Sequence, residues 1–323
     1  MRLYAILASV DFSLTLTLLS SLYHAPGTRG HPYHSPLTPL KIELVKRFMQ
    51  IRSYAEVYRR LQSSVEWRRV CDIGSLDKIP HPSTWTRFRK RVGAATLQLN
   101  TIDIYNASTI AVDATFIKAY SKRDPKNNLV GYSDSEAGLR KEGRNVTLGY
   151  GVHLAADTKS EMPLAAIVEP ANTNEKKPAP TLLKETIKRR RKRRVRHVIA
   201  DSQYSSQAVR EEVKRLDAKP VIPYPRNQAK GRRVLRVDRR FRSHESSRLR
   251  RLYRKRSAAE RVVSRLKTYF GLCQLRTRGL RNVSSHVLLC IIALLANALS
   301  AIKQGLSHKI RSPIHFTKLT WRR

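Results

Sequence analysis

The hydrophobic period of this chain changes partway along, and the change divides it into a helical module and a sheet domain. From Pro39 to about Leu99 apolar residues recur at helical spacing, as in Ile42, Val45, Phe48 and Met49. Ser53 is placed to cap a helix over Tyr54 to Leu61, and a third helix starts near Ser83. Beyond residue 100 the period falls to two. Ile110–Lys118, Tyr150–Ala156 and Leu164–Val168 read as strands, the last two joined as a hairpin across Asp157 to Pro163. A helix from near Pro178, a strand over Val195–Ala200, a helix over Ser206–Leu216 and a short strand over Pro220–Ile222 follow, and long helices close the chain. That order calls for an α/β sheet of mixed strand direction.

Two apolar stretches lie outside this scheme. Leu3 to Leu22 carries Asp11 in its middle and lacks a clear cleavage site, which disfavours a signal peptide. His286 to Ile302 is leucine-rich, but its 17 residues include Asn297, so a buried core helix is favoured over a membrane span. The Pro-, Gly- and His-rich segment 23–38 cannot continue a helix and reads as a linker. The expected domains are an apolar extension and linker over 1–38, a helical DNA-binding domain over 39–99, a catalytic domain over 100–305 and a basic tail over 306–323.

Charge restricts the partner. The chain holds 64 Lys and Arg against 24 Asp and Glu, a formal charge of +40. So large an excess repels itself unless a polyanion is near, and it runs through loops, strands and helices alike, which points to nucleic acid and not to a membrane surface. Arg87, Arg89, Lys90 and Arg91 surround Trp85 and Phe88 in the third helix and are candidates to dock on double-stranded DNA. The alternative makes the two aromatics core anchors and the arginines a solvated face. A run from Lys188 to Arg196 reads as a solvated or disordered tract, a nuclear-targeting sequence or a DNA-contacting surface. Fourteen more Lys and Arg between Arg226 and Arg256, opposed by Asp238 and Glu245 alone, read as a mobile basic loop. Three widely spaced cysteines suit a reducing, cytoplasmic setting.

Carboxylates in apolar strands carry the candidate chemistry. Asp113 interrupts the run Ile-Ala-Val-Asp-Ala-Thr, where burial is unfavourable unless the charge is paired or bound to metal. Asp201 follows His-Val-Ile-Ala at a strand's C-terminal end, where open α/β sheets place ligands, although such an Asp is also a common helix cap. Tyr253, Arg256, Glu260 and Lys267 fall within roughly 60° of one another on a helical wheel. One helix face would then offer a metal-binding carboxylate, Glu260, flanked by phosphate-pairing Arg256 and Lys267 and by Tyr253. An ion-paired surface helix is the alternative, since Arg256 and Glu260 stand four apart.

These residues resemble the DDE transposases of bacterial and archaeal insertion sequences, in the branch marked by a Tyr-x2-Arg-x3-Glu-x6-Lys signature. Tyr253, Arg256, Glu260 and Lys267 match that spacing. The similarity extends to Val-Asp-Ala-Thr-Phe-Ile-Lys-Ala around Asp113, Leu-Gly-Tyr-Gly-Val-His-Leu-Ala-Ala-Asp, Pro-Ala-Asn-Thr-Asn-Glu-Lys-Lys and Ala-Asp-Ser-Gln-Tyr-Ser-Ser around Asp201, over roughly residues 40 to 305. The resemblance implies a ribonuclease H-like catalytic core in which Asp113, Asp201 and Glu260 are the catalytic residues. They would hold two Mg2+ ions, with Mn2+ able to substitute. It also implies cleavage at element ends, attack of the freed 3′-hydroxyl on target DNA, and a homo-oligomer assembled on DNA. The 59 residues from Asp201 to Glu260 leave only a modest insertion before the helix bearing Glu260, which disfavours a large inserted β-domain. The apolar first twenty-odd residues look foreign to the family, and near the second Asp the usual aromatics are represented by Tyr204 alone. A non-catalytic basic nucleic-acid-binding protein and a related nuclease without strand transfer are the competing readings.

Overall fold

The computed structural model describes residues 2–20, 35–91, 108–188, 194–225 and 244–313. The chain divides into two compact units, one of residues 1–101 and 265–323, the other of residues 102–264.

The first unit is helical: α1 (Arg2–Ser9), α2 (Ser13–Ser20), α3 (Leu37–Phe48), α4 (Tyr54–Ser63), α5 (Val65–Val70), α6 (Pro82–Arg91) and the 24-residue α11 (Leu280–Lys303). Ser53 caps α4 by accepting from the Glu56 N–H (3.2 Å), and Ser64 caps α5 from the Trp67 N–H (3.4 Å). A helix apolar on every side, as α11 is, needs cover on every side. It receives it from α1, α3 and α6, and its length and composition therefore describe a core helix.

The first residues, expected as an apolar extension, form α1, whose Leu3, Ile6 and Leu7 are buried and which packs on α11, α3 and α5. The long apolar helix, placed by the sequence within residues 100–305, clusters with the N-terminal helices, whose apolar stripes cover it. Trp85 and Phe88 are fully buried core anchors. Between α3, α6 and α11 lies a buried charge cluster: Glu43 pairs with Arg47 (2.5 Å), lies 3.9 Å from Arg89 and accepts from the Tyr54 hydroxyl. Arg47 also reaches His286 (3.5 Å). Burial, with Arg47 and Arg89 beside it, holds that imidazole neutral.

The second unit is built on a six-stranded sheet: β1 (Thr109–Lys118), β2 (Gly138–Glu142), β3 (Asn145–Asp157), β4 (Pro163–Pro170), β5 (His197–Ile199) and β6 (Lys219–Val221). β3 lies antiparallel to β1 on one side and to both β2 and β4 on the other, while β1, β5 and β6 run parallel. Only β3 therefore opposes the rest, as expected of a ribonuclease H-like mixed sheet. β2 escapes the sequence pattern because its five residues include Arg, Lys and Glu and are largely half-exposed. Gly143, at φ +59°, opens its two-residue turn into β3. Helices α7 (Ala179–Lys188) and α8 (Gln207–Arg215, capped by Ser206) cover the sheet face that carries Ile110, Val112 and Ala155. At Gly149 a Cβ would lie 2.2 Å from the Ile117 carbonyl, so β1 and β3 approach as closely as they do only over glycine.

A candidate carboxylate site between two parallel strands and a broken helix

Alternation along β1 sends Ile110, Val112 and Ala114 into the core beneath α7 and α8 and turns Asp113 to the other face. Ala111 pairs with Ile199 in the parallel β1–β5 ladder. Two residues further on each chain stand Asp113 and Asp201, so the register brings them side by side on one face. Asp201 accepts from the Ser202 hydroxyl (2.9 Å) at the start of a 3-10 turn, Ser202–Tyr204.

The third carboxylate arrives from a helix, though not from the single helix that the wheel assumes. The chain forms α9 (His244–Arg254), turns through Lys255 and Arg256, and resumes as α10 (Ser257–Tyr269). The break has a local cause. The Ser257 hydroxyl donates to the Arg254 carbonyl (3.0 Å), occupying the acceptor that an unbroken helix would offer the Ala258 N–H, which bonds Lys255 instead. Tyr253 thus lies in the last turn of α9, Arg256 sits in the joint and Glu260 occupies the first turn of α10.

The joint puts Arg256 between two of the carboxylates. Its guanidinium contacts Asp113 (3.4 Å) and Glu260 (2.5 Å). Burial pushes the Asp113 carboxyl above its usual range; Arg256 opposes the rise, and Glu260 and Asp201 add to it. The three acids therefore share one field. Tyr253 belongs to the same group: burial and then Asp201 raise its hydroxyl, and Arg256 opposes the rise.

Around this centre lie residues that the sequence left without a role. Glu175, from the Pro-Ala-Asn-Thr-Asn-Glu segment after β4, is pushed up by burial, with Arg140 opposing and Asp113 and Asp201 reinforcing. Gln203, with its amide nitrogen turned to satisfy both groups, donates to the two Glu175 oxygens at 2.9 and 3.1 Å. Tyr204 is buried and its hydroxyl lies 3.1 Å from His153 Nδ1, whose imidazole burial drives down to about 4. The motif signal was present in each case, but no spacing rule links a loop acid at 175 to a strand acid at 113.

Other predicted residues fall elsewhere. Lys267 is half-exposed on α10, about 10 Å along its axis from Glu260. Arg87 and Lys90 are exposed on α6, whereas Arg89 is buried against Glu43 and is spent on the core, which removes it as a DNA contact. Arg91 ends α6, with its side chain outside the described residues, as are 189–193 of the basic run and 226–243 of the basic loop.

Among the described residues no three His, Cys, Asp or Glu side chains converge closely enough to cage a metal ion. The guanidinium of Arg256 instead supplies positive charge where Asp113 and Glu260 meet. The donor set itself, carboxylate oxygens without sulfur or imidazole, suits a hard divalent cation.

Comparison with known families decides the relationship. The model of the family described as "Transposase DDE domain" matches residues 105–296, more than half of the chain. The chain belongs to the DDE transposase family. A second model, described as a transposase domain (DUF772), matches residues 1–91 of this transposase, which take in the apolar first twenty-odd residues. No curated protein matches the sequence significantly. Solved structures that resemble the transposase include a piggyBac transposase synaptic complex with hairpin DNA, at 10% identity and a TM-score of 0.46, covering 97% of this chain and 76% of that one. A Drosophila P element transposase strand transfer complex matches at 10% identity and 0.30, covering 94% and 68%. A Mos1 mariner paired-end complex with Mn matches at 14% identity and 0.25, covering 77% and 82%. These likenesses are loose, and the site rests on the chain's own residues.

Proposed function

We propose that this transposase binds the ends of a prokaryotic insertion sequence of the Tyr-Arg-Glu-Lys branch and catalyses metal-dependent cleavage and strand transfer there. The observation that carries the reading is the pairing of Asp113 and Glu260 through Arg256, with Asp201 beside Asp113 in strand register. Three carboxylates from a strand centre, a strand end and a helix start are rigidly based, as phosphoryl chemistry requires of its ligands. Asp113, Asp201 and Glu260 would hold Mg2+, or Mn2+ in its place, and the bound cation supplies Lewis-acid stabilisation of phosphate oxygens.

The chain's own groups have separate tasks. Arg256 holds Asp113 and Glu260 together, and its fork is suited to a phosphate oxygen. Tyr253 offers DNA an aromatic or hydroxyl contact. Lys267, Arg87 and Lys90 contribute phosphate contacts, the helical segment 39–99 reads the end sequence, and the protein works as a homo-oligomer because two ends must be joined. Incubation with a supercoiled plasmid carrying candidate ends and Mg2+ tests the proposal. Excised ends and joined products are expected; nicking without joining would leave a nuclease, and DNA binding without either product would leave a basic binding protein.

A further inference from the structure

At the far end of β5 from Asp201 the sheet unit has an open cavity of about 740 Å³. Arg194, Arg196 and His197 line it from the approach to β5, Lys214 from the last turn of α8, Lys219 from the start of β6, and Arg248 from α9. Asp217 is the single acid in the lining, and it is taken by Arg194 (2.5 Å). Arg196, Lys214, Lys219 and Arg248 have no acidic partner within 4 Å among the described residues. A lone lysine at a helix C-terminus is an ordinary dipole partner. Four unmatched cations converging on one concavity from four elements are not, because each raises the energy of the others.

Their convergence is felt at one point. His197 sits half-buried within the lining, and its imidazole is drawn down by burial first and then by Arg248, Lys219, Lys255 and Arg196. His197 opens β5 and Asp201 follows its end, so four residues at about 3.3 Å each separate the two places by roughly 13 Å. A phosphate seated in the cavity is therefore not the one at the carboxylates.

We propose that this cavity is a second anion site, which holds phosphates of a nucleic-acid backbone segment other than the one being cut. The identity of the ligand as DNA rests on the proposed function; the anion site does not. Arginine forks match phosphate oxygens two at a time, and the lysines add charge without further geometry.

The full-length protein serves for the test, with His197 followed by imidazole NMR and its signal assigned by loss in His197→Gln. Inorganic tripolyphosphate and a short mixed-sequence duplex are titrated separately. Both are expected to raise the imidazole's titration midpoint, since an anion cancels the surrounding charge. In parallel, the combined Arg196→Gln, Lys214→Gln, Lys219→Gln and Arg248→Gln variant should lower the slope of log affinity against log salt by up to about 3.6, at about 0.9 per phosphate contact. The double variant Lys214→Arg and Lys219→Arg, which keeps the charge, should retain the slope. A His197 signal indifferent to both probes overturns the site. A response to tripolyphosphate without one to the duplex assigns the cavity to a free polyphosphate and overturns the nucleic-acid reading. Neither result depends on cleavage, so a wild-type protein that fails to cut would count against the proposed function alone.

Discussion

Replacing Glu43 by Gln should destabilise the helical unit by about 3 kcal/mol at neutral pH. Burial alone would push this carboxyl up, yet Arg47, Arg89 and Lys46 overcome it and hold it at about 2, against 4.5 for a free glutamate. A depression of that size is worth roughly 3 kcal/mol at 1.36 kcal/mol per unit. An independent route gives the same order: removing one member of a buried ion pair costs about 3–5 kcal/mol, because Arg47 and Arg89 would be left as uncompensated buried cations. The sign follows from the lowered value. The contribution is complete above pH 4.5, where the unfolded carboxyl is also ionised, and is lost as the pH falls towards 2. Thermal unfolding followed by circular dichroism at pH 7 should show a fall in Tm of roughly 6–12 °C, at about 2–4 °C per kcal/mol for a unit of this size. At pH 3 the gap between variant and wild type should shrink to less than half. A gap under about 2 °C at pH 7, or one equal at both pH values, would refute the reasoning, since an uncharged or solvent-screened Glu43 has little to lose.

Gly149→Ala should lower stability by about 2 kcal/mol in the same melting assay, because its Cβ would meet the Ile117 carbonyl, which cannot move without parting β1 from β3, and would displace the Phe116 ring as well. His153 is expected to stay neutral to about pH 5 by NMR; its lowered value makes acid destabilising from pH 6.5 down to about 4, and His153→Gln should remove that part of the acid sensitivity. Arg256→Ala should reduce cleavage at saturating DNA by on the order of 10- to 1000-fold and the salt slope by about one unit. Arg256→Lys should recover the slope but not the rate, because an ammonium cannot bridge Asp113 and Glu260 as a fork does.

Much of the sheet was legible because its strands bury one or both faces, so apolar runs such as Ile110–Lys118 and Leu164–Val168 announce themselves and place Asp113 and Asp201 correctly. β2 was not, since a short polar strand paired only to β3 leaves no period to read. The signature helix was half legible. The spacing of Tyr253, Arg256, Glu260 and Lys267 pointed to three residues that the structure gathers near Asp113 and one, Lys267, that it leaves two turns further along; a wheel presumes one helix, and the Ser257 hydroxyl that breaks it acts through a backbone bond with no periodic trace. Arg89 looked like its neighbours Arg87 and Lys90 because burial of a basic residue depends on an acid elsewhere, here Glu43, 46 positions earlier. Glu175 enters the field of Asp113 and Asp201 only through the tertiary fold.

The central claim is that Asp113, Asp201 and Glu260 act as one catalytic set. The most direct measurement compares the cleavage rate and DNA affinity of Asp113→Asn, Asp201→Asn and Glu260→Gln with wild type, in Mg2+ and in Ca2+. Each variant should lose cleavage while its DNA affinity remains close to wild type, because the binding charge lies elsewhere. Wild-type protein in Ca2+ should bind without cutting, since the larger ion's looser coordination does not hold the reacting oxygens in line. Cleavage near the wild-type rate in any one of the three variants would contradict the account.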